Sequence, residues 1–239
     1  MIERPSSNSG VRTISRRGLI GATAATAGLG VLPGALLASV GPHIRAIAFD
    51  ALAVFDPRSV TALAHANFPE KGDALASLWS SKLFSYTWLS TAAGHYRDFE
   101  TLADASLRFS AGSLGLVLPQ AVRRQLVEAY SRLDLWPDVE PILIRLRAAG
   151  IRLAFLSNMS EAALSANIHR TGTARYFEFI LSTDRVRQFK PAPAAYAMAT
   201  DGFGLPRGEV GFVAFGGWDA AGATWFGYRT AWINRLGTI

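Results

Sequence analysis

Ile47-Ala-Phe-Asp50-Ala-Leu-Ala-Val-Phe-Asp56 is the segment on which the interpretation of the whole chain depends. It continues an apolar run that predicts a short buried strand over residues 44–49. The run ends at a carboxylate, Asp50. Because the reacting groups of open α/β sheets lie just beyond the carboxyl ends of strands, Asp50 is a candidate nucleophile that could form a covalent ester. The alternative is that Asp50 caps the helix or turn that follows it.

The rest of the chain divides into two patterns. Residues 58–134 predict only helices, over 59–67, 74–93, 97–114 and from Pro119 through Tyr130. After residue 134 helices and strands alternate, with helices over 139–149, 160–171, 193–203 and 218–226 and strands over 151–156, 177–181, 210–214 and 229–233. Such alternation is typical of a parallel sheet with helices on both faces. We therefore expect an α/β core with an all-helical cap inserted after the first strand.

Composition limits the kinds of partner. The formal net charge is +6, and half of it comes from four arginines and one glutamate that precede residue 40. The charge left on the remaining chain is too small to indicate nucleic-acid binding, but it suits a small anionic substrate. The chain has no cysteine, which excludes disulfides, thiol nucleophiles and cysteine-based metal sites.

Residues 1–40 are predicted to form a twin-arginine signal segment. Ser15-Arg-Arg-Gly-Leu-Ile20 contains the paired arginines, and an uncharged run rich in alanine and glycine extends from Gly18 to Ala38. Because this pattern is an export address, we expect the Tat export machinery as a partner and the periplasm as the location. The run is also about long enough to span a bilayer, so a retained membrane tether is the alternative. No motif fixes the oligomeric state, and a homodimer stays open.

Polar side chains follow four of the predicted strands, in chain order Asp50, the pair Ser157 and Asn158, Lys190 after a loop, and Asp219 after a glycine-rich turn. The carboxyl ends of parallel strands meet at one edge of a sheet, so we expect these side chains to share one site. Structural alternatives exist for each of them. Ser157, Asn158 and Asp219 could cap the helices that follow, and Lys190 could be a surface lysine.

The order and spacing of these residues resemble the haloacid dehalogenase (HAD) superfamily, and more narrowly the type II (S)-2-haloacid dehalogenases. The resemblance covers residues 44–236. It is carried by the motifs Ala48-Phe-Asp50, Phe55-Asp56, Tyr86-Thr-Trp-Leu89, Leu156-Ser-Asn158, Phe189-Lys-Pro191 with Tyr196, and Trp218-Asp-Ala-Ala-Gly222 running to Trp232-Ile-Asn-Arg235. It implies a Rossmannoid parallel sheet core over residues 41–57 and 135–239, with the helical cap over residues 58–134.

The resemblance also implies a two-step hydrolysis. Asp50 would attack the carbon that bears the leaving halide of a short 2-haloacid, and water would then hydrolyse the resulting ester. Lys190 would keep Asp50 ionised, because a nearby cation favours the charged form of a carboxylate. Ser157 and Asn158 would donate hydrogen bonds to a substrate carboxylate or an oxyanion, and Asp219 would activate the water.

Three further residues are candidates for substrate contact. Tyr196 is similar to a family tyrosine that bonds near the nucleophile, although a lone aromatic on an amphipathic helix could equally be core. Leu52 and Trp218 could form an apolar wall for a small alkyl group, together with the aromatic residues Phe84, Trp88 and Phe99 of the predicted cap. The alternative is that all of these side chains simply belong to the core.

Leu52 also bears on metal chemistry. Phosphatases of the superfamily place a second aspartate at this offset from the nucleophile, beside a magnesium site. An apolar side chain cannot protonate a leaving alkoxide or hold a hard cation, which prefers oxygen ligands. Leu52 therefore disfavours metal-dependent phosphoryl transfer, and we expect neither a metal nor a cofactor.

Several positions depart from the family pattern. The family usually has Tyr-Gly-Thr-Leu-Phe-Asp after the nucleophile, whereas Leu52-Ala-Val-Phe-Asp56 is one residue shorter and lacks the threonine hydroxyl. Ser80 stands where a halide-binding arginine would follow the tryptophan of the cap helix. Ala214 and Gly216 stand where a serine and an asparagine would support the water-activating carboxylate. These losses motivate a rival interpretation, a catalytically weakened protein that binds a small carboxylate.

Overall fold

The strands that form the central sheet come from distant parts of the chain. The computed structural model describes residues 43–237. Its strands are β1 Ala46–Phe49, β2 Phe55–Asp56, β3 Asp134–Leu135, β4 Arg152–Ser157, β5 Phe179–Ser182, β6 Val210–Ala214 and β7 Arg229–Trp232. Five of them form a sheet with the order β5-β4-β1-β6-β7, in which all neighbours are parallel. β1 therefore lies at the centre, between β4 and β6.

Helices cover both faces of this sheet. Their bounds are α1 Ala51–Val54, α2 Arg58–Asn67, α3 Gly72–Ala92, α4 Phe99–Ser113, α5 Gln120–Glu128, α6 Val139–Ala148, α7 Glu161–Thr171, α8 Pro193–Phe203 and α9 Gly217–Phe226. Successive strand residues point to opposite faces. Ala48 and Leu156 accordingly pack with α8 and α9, whereas Phe49 and Phe155 pack with α6, α7 and the helices of residues 58–128. The predicted fold class, a parallel sheet core with helices, is confirmed.

Local signals set the ends of the helices that carry the site. Ser160 caps α7, since its Oγ accepts a hydrogen bond of 3.1 Å from the backbone N–H of Ala163. Pro193 begins α8, where its missing N–H is no loss. α7 and α8 both end at glycines with positive φ, 67° at Gly172 and 64° at Gly204, a backbone conformation that other residues rarely adopt.

The helical block packs around a buried tryptophan and shares one buried cluster with a face of the sheet. Trp79 of α3 is buried, its indole N–H donates to the Ala103 carbonyl at 2.8 Å, and its ring lies 5.4 Å from that of Tyr130. β2 and β3 pair antiparallel at the base of the block, so the chain leaves and re-enters the core through adjacent strands. That residues 58–134 form a separate cap domain stays a prediction.

Several predicted bounds need correction. The strand predicted over 44–49 begins at Ala46, and the one predicted over 177–181 spans Phe179–Ser182. The helix predicted to continue through Tyr130 ends at Glu128 and is followed by a short 3₁₀ turn. Helix α1 and the β2–β3 pair were not predicted, because segments of two to four residues are too short for hydrophobic periodicity to register. The predicted signal segment lies outside the described residues.

Candidate active site

Asp50 follows the central strand and uses its two carboxylate oxygens differently. Its backbone N–H donates to the Val213 carbonyl at 2.9 Å, which continues the pairing of β1 with β6. Oδ2 accepts a hydrogen bond of 3.1 Å from the Leu52 N–H and so caps α1. Oδ1 accepts from the Lys190 ammonium at 2.8 Å. The capping alternative and the lysine contact thus both occur, because each uses a different oxygen.

Lys190 lies fully buried between two carboxylates. Its Nζ donates to Asp50 Oδ1 at 2.8 Å and to Asp219 Oδ2 at 2.7 Å, and it lies 5.1 Å from the centroid of the Phe212 ring. The surface alternative is therefore wrong for this residue. Burial by itself would lower the pKa of the ammonium, but the charges of Asp219 and Asp50 outweigh burial and raise it. Lys190 stays a cation and holds the two carboxylates together.

Asp219 lies in the first turn of α9 and does not cap that helix. Its Oδ1 accepts a hydrogen bond of 2.6 Å from the Tyr196 hydroxyl, while Oδ2 accepts from Lys190. Burial raises the pKa of Asp219 to about 6, although the Lys190 charge acts in the opposite direction. Burial likewise raises the pKa of Tyr196, so this phenol stays a neutral donor. A carboxylate with this pKa can exchange a proton near neutral pH.

Ser157 and Asn158 turn the chain from β4 toward α7. Ser157 Oγ accepts from the Met159 N–H at 3.0 Å, and Asn158 Oδ1 accepts from the Lys190 N–H at 2.9 Å. Neither Ser157 nor Asn158 caps α7, since Ser160 does so. Both residues are buried next to the lysine loop, and Asn158 fixes the backbone of Lys190. The NH₂ group of Asn158 and the Ser157 hydroxyl are the donors that these residues can offer to a ligand.

Trp218 joins the α/β core to the helical block. Its ring centroid lies 5.2 Å from that of Phe84 and 5.5 Å from that of Trp88, both on α3. Phe99 is not part of this aromatic cluster, because it is buried in the helical block against Tyr130, with ring centroids 5.4 Å apart. Three members of the predicted apolar wall therefore lie together, and Phe99 does not lie with them.

Leu52 and Gly216 are close in sequence to the two carboxylates, Leu52 after Asp50 and Gly216 before Asp219. Leu52 lies on α1, where its backbone N–H binds Asp50 and its side chain packs partly buried against the core. A Cβ added at Gly216 would lie 2.8 Å from the indole nitrogen of Trp218. The indole therefore occupies the space that any larger side chain at position 216 would need.

The other departures from the family pattern have clear structural settings. Ser80 is exposed on α3. The neighbouring Lys82 directs its ammonium over the Phe109 ring, 4.8 Å from the centroid. The flexible Lys82 ammonium, engaged with this ring, does not reproduce the planar fork of a guanidinium. Ala214 is buried at the end of β6.

Two residues near Asp50 were not identified from the sequence. Trp136 donates from its indole N–H to the Leu52 carbonyl at 3.0 Å, and Arg235 donates to the Ala53 carbonyl from Nε at 3.3 Å and from Nη2 at 3.2 Å. A signal for Arg235 was present, because it closely follows the last strand and ends a segment that matches the family pattern.

Groups of three or more histidine, cysteine, aspartate or glutamate side chains that could hold a metal do not occur within residues 43–237. The expectation that no metal or cofactor takes part stays a prediction. In the same part of the chain, no helix combines the length and apolar composition needed to cross a bilayer.

A parallel sheet whose central strand ends at a carboxylate, linked through a buried lysine to a second carboxylate, defines a class of α/β hydrolase that acts through an aspartate. Comparison with known proteins narrows this class. A model of the haloacid dehalogenase-like hydrolase family matches residues 24–227, and the chain belongs to that family.

Individual relatives agree with this assignment. The chain is 37% identical over 198 residues to an (S)-2-haloacid dehalogenase of Pseudomonas sp. (strain YL), a match that covers 82% of this chain and 85% of that one. A solved L-2-haloacid dehalogenase structure is 40% identical, with a TM-score of 0.80 and coverage of 82% of this chain and 89% of the other. The L-2-haloacid dehalogenase of Xanthobacter autotrophicus with chloropropionic acid covalently bound is 33% identical, with a TM-score of 0.75 and coverage of 82% and 79%.

Proposed function

We propose that the protein hydrolyses the carbon–halogen bond of short (S)-2-haloacids through an ester on Asp50. The observation that carries this proposal is the Lys190 ammonium, which bridges Asp50 Oδ1 and Asp219 Oδ2 at 2.8 and 2.7 Å. One cation thereby serves a nucleophile that follows β1 and a base on the helix that follows the neighbouring strand β6. The names of the relatives support the same chemistry.

In the first step, a carboxylate oxygen of Asp50 attacks C2 of the haloacid. The new carbon–oxygen bond forms as the carbon–halogen bond breaks, and the halide leaves with the bonding electron pair. No general acid is required, because halide is a stable anion. Leu52, at the position where related phosphatases use a second aspartate, is compatible with this step. Donors from Ser157 and Asn158 would hold the substrate carboxylate.

In the second step, water attacks the carbonyl carbon of the Asp50 ester. Asp219 accepts the proton of that water, and Lys190 stabilises the oxyanion that develops on the ester. The ester collapses to the Asp50 carboxylate and a 2-hydroxy acid, whose alkoxide takes up a proton. The sum is haloacid plus water to hydroxy acid, halide and one proton. Tyr196 keeps the Asp219 carboxylate oriented throughout.

Chloride release from (S)-2-chloropropionate tests the reaction. We expect release by the wild type and none by Asp50→Asn. Asp56→Asn is a matched control, because it makes the same change six residues later, at a carboxylate that pairs with Arg58 at 2.6 Å. Single-turnover hydrolysis in ¹⁸O water should place the label in Asp50. Absence of chloride from the wild type, or of label from Asp50, would contradict the proposal.

The Trp218 indole over Gly216 favours a second candidate, a slow or redirected protein that binds a small carboxylate. The lost supports at Ser80, Ala214 and Gly216 point the same way, since each missing donor of this kind lowers the rate on the order of a hundredfold. Calorimetric binding of (S)-2-chloropropionate without chloride release would identify this case. Magnesium-stimulated phosphate release would instead identify a phosphatase.

We also propose Tat-dependent export to the periplasm, supported by the paired arginines Arg16 and Arg17 and the apolar run after them. Replacement of both by lysine should leave the protein in the cytoplasm, whereas an unchanged periplasmic fraction would contradict export by this route. Retention of the mature protein in the membrane fraction would support an uncleaved tether. The oligomeric state, for which a homodimer stays open, is measured by light scattering on the purified protein.

A further inference from the structure

We infer that Arg235 and Trp136 are positioning residues for Asp50, acting through the carbonyl end of helix α1. This inference rests on the proposed function, since it concerns the attack by Asp50. Neither side chain contacts the substrate in the proposed mechanism. Both act on the four-residue helix that directly follows the nucleophile and whose Leu52 N–H orients the carboxylate.

Helix α1, with four residues, is too short to be stable on its own. Its four residues leave room for few internal backbone bonds, among them those from the Ala53 N–H to the Asp50 carbonyl at 3.1 Å and from the Phe55 N–H to the Ala51 carbonyl. A single turn of helix fixes several dihedral angles for very few hydrogen bonds and is unfavourable in isolation. The Leu52, Ala53 and Val54 carbonyls must therefore find partners elsewhere.

All three carbonyls find partners on two distant segments. Trp136 supplies its indole N–H to Leu52 at 3.0 Å and its backbone N–H to Val54 at 3.1 Å. Arg235 supplies two guanidinium N–H groups to Ala53, at 3.3 and 3.2 Å. A cation at the carbonyl end of a helix also opposes the partial negative charge that gathers there.

The two partners are fixed to each other. The Arg235 guanidinium lies 4.7 Å from the centroid of the Trp136 ring and pairs with Asp138 at 2.8 Å. Only 14% of the Arg235 side chain is exposed. Arg58 lies over the same ring, also at 4.7 Å, so the indole is held by more than one contact.

The consequence for Asp50 follows from its two oxygens. Leu52 N–H holds Oδ2 only while α1 keeps its helical turn, and Lys190 holds Oδ1. Without its carbonyl partners α1 loosens, and Asp50 keeps the lysine contact but loses the second constraint on its orientation. A misplacement of about 1 Å at a reacting group can lower a rate about a hundredfold. Substrate binding should change little, since Arg235 and Trp136 contact backbone carbonyls of α1 and not the Asp50 carboxylate.

The test compares Arg235→Gln and Trp136→Phe with Arg45→Gln. Arg45 is a matched control, because it also forms an ion pair, at 3.0 Å, but with Glu209 and not beside α1. Halide release should show a kcat reduced about tenfold to a hundredfold in the first two variants, with KM within about twofold of wild type. Arg45→Gln should match the wild type in both constants.

A second readout does not depend on turnover. Exchange of the Leu52 amide hydrogen, followed by NMR, should speed up in Arg235→Gln and Trp136→Phe but not in Arg45→Gln. Unchanged exchange and unchanged kcat in folded Arg235→Gln and Trp136→Phe would overturn the inference, as would a rise in KM that accounts for the whole loss. If the wild type releases no halide, the proposed function fails, and the exchange experiment alone decides whether Arg235 and Trp136 hold the turn.

Discussion

Replacement of Lys190 by methionine should destabilise the protein more at high pH than at low pH. The side chain of Lys190 is 1% exposed, as is that of Asp219, and Asp50 is 14% exposed. At separations of 2.8 and 2.7 Å, each contact supplies about 6 kcal/mol of attraction at an effective dielectric constant of about 20. Desolvation of the three ions offsets much of this. Removal of one partner from a buried ion pair typically destabilises by about 3–5 kcal/mol, which is the loss we expect at pH 8.

The pH dependence follows from Asp219. Burial already raises the pKa of this carboxyl to about 6 in the wild type. Without the lysine charge, burial and the Asp50 carboxylate favour the protonated form still more. The folded variant then binds a proton that the unfolded chain, with an aspartate pKa of about 3.9, has released. The free energy of unfolding of the variant therefore rises as the pH falls from 8 to 5, and its deficit shrinks.

Urea denaturation at pH 8 and pH 5 measures both effects. Lys82→Met is a control, because its ammonium contacts the Phe109 ring rather than a carboxylate and should lose no more than about 1 kcal/mol. The double variant Lys190→Met with Asp219→Asn should recover part of the loss, since it removes one uncompensated charge. An equal deficit at both pH values, or a deficit no larger than that of Lys82→Met, would refute the reasoning.

Three further outcomes are expected. Ester hydrolysis in single turnover should speed up as the pH rises through about 6, where the Asp219 carboxyl loses its proton, and Asp219→Asn should abolish this dependence. Tyr196→Phe removes a buried hydrogen bond of 2.6 Å to that carboxylate, so the free energy of unfolding should fall by about 1.5–3 kcal/mol in urea titrations; an unchanged midpoint would contradict the bond. Gly216→Ala should destabilise the protein by about 1–3 kcal/mol and alter tryptophan fluorescence, since its Cβ would lie 2.8 Å from the Trp218 indole. The control Gly112→Ala should stabilise the protein, because a Cβ at this position of α4 meets nothing within 4 Å.

The parallel sheet and the cluster of charged residues at its edge could both be predicted from the sequence. Strand β6 and helix α8 have the predicted bounds of 210–214 and 193–203, because a proline and glycines mark their ends. Asp50, Lys190 and Asp219 were expected to share one site, since each follows a different strand of a parallel sheet. Their contacts at 2.8 and 2.7 Å fit that expectation, and their catalytic roles stay predictions.

Side-chain direction could not be predicted in the same way. Asn158 binds the Lys190 backbone, and the Trp218 indole covers Gly216, because rotamers depend on neighbours that only the packed fold supplies. Phe99 shows the same limit, since helical spacing indicates a buried face but does not say which cluster that face joins. The motif that ends at Arg235 does not predict its contact, because the partner is the Ala53 backbone carbonyl and any residue type supplies such a carbonyl.

The central position of β1 has a consequence for biosynthesis. Its neighbours in the sheet are β4 and β6, and Ala46 pairs with Arg152, about 100 residues later in the chain. At about 5–20 residues per second, the ribosome needs about 5–20 s to deliver that partner. Throughout this interval the strand that carries the nucleophile has no sheet to join. The helices of residues 58–128 emerge meanwhile, so their collapse is the earliest protection available to the exposed Phe49 and Phe55.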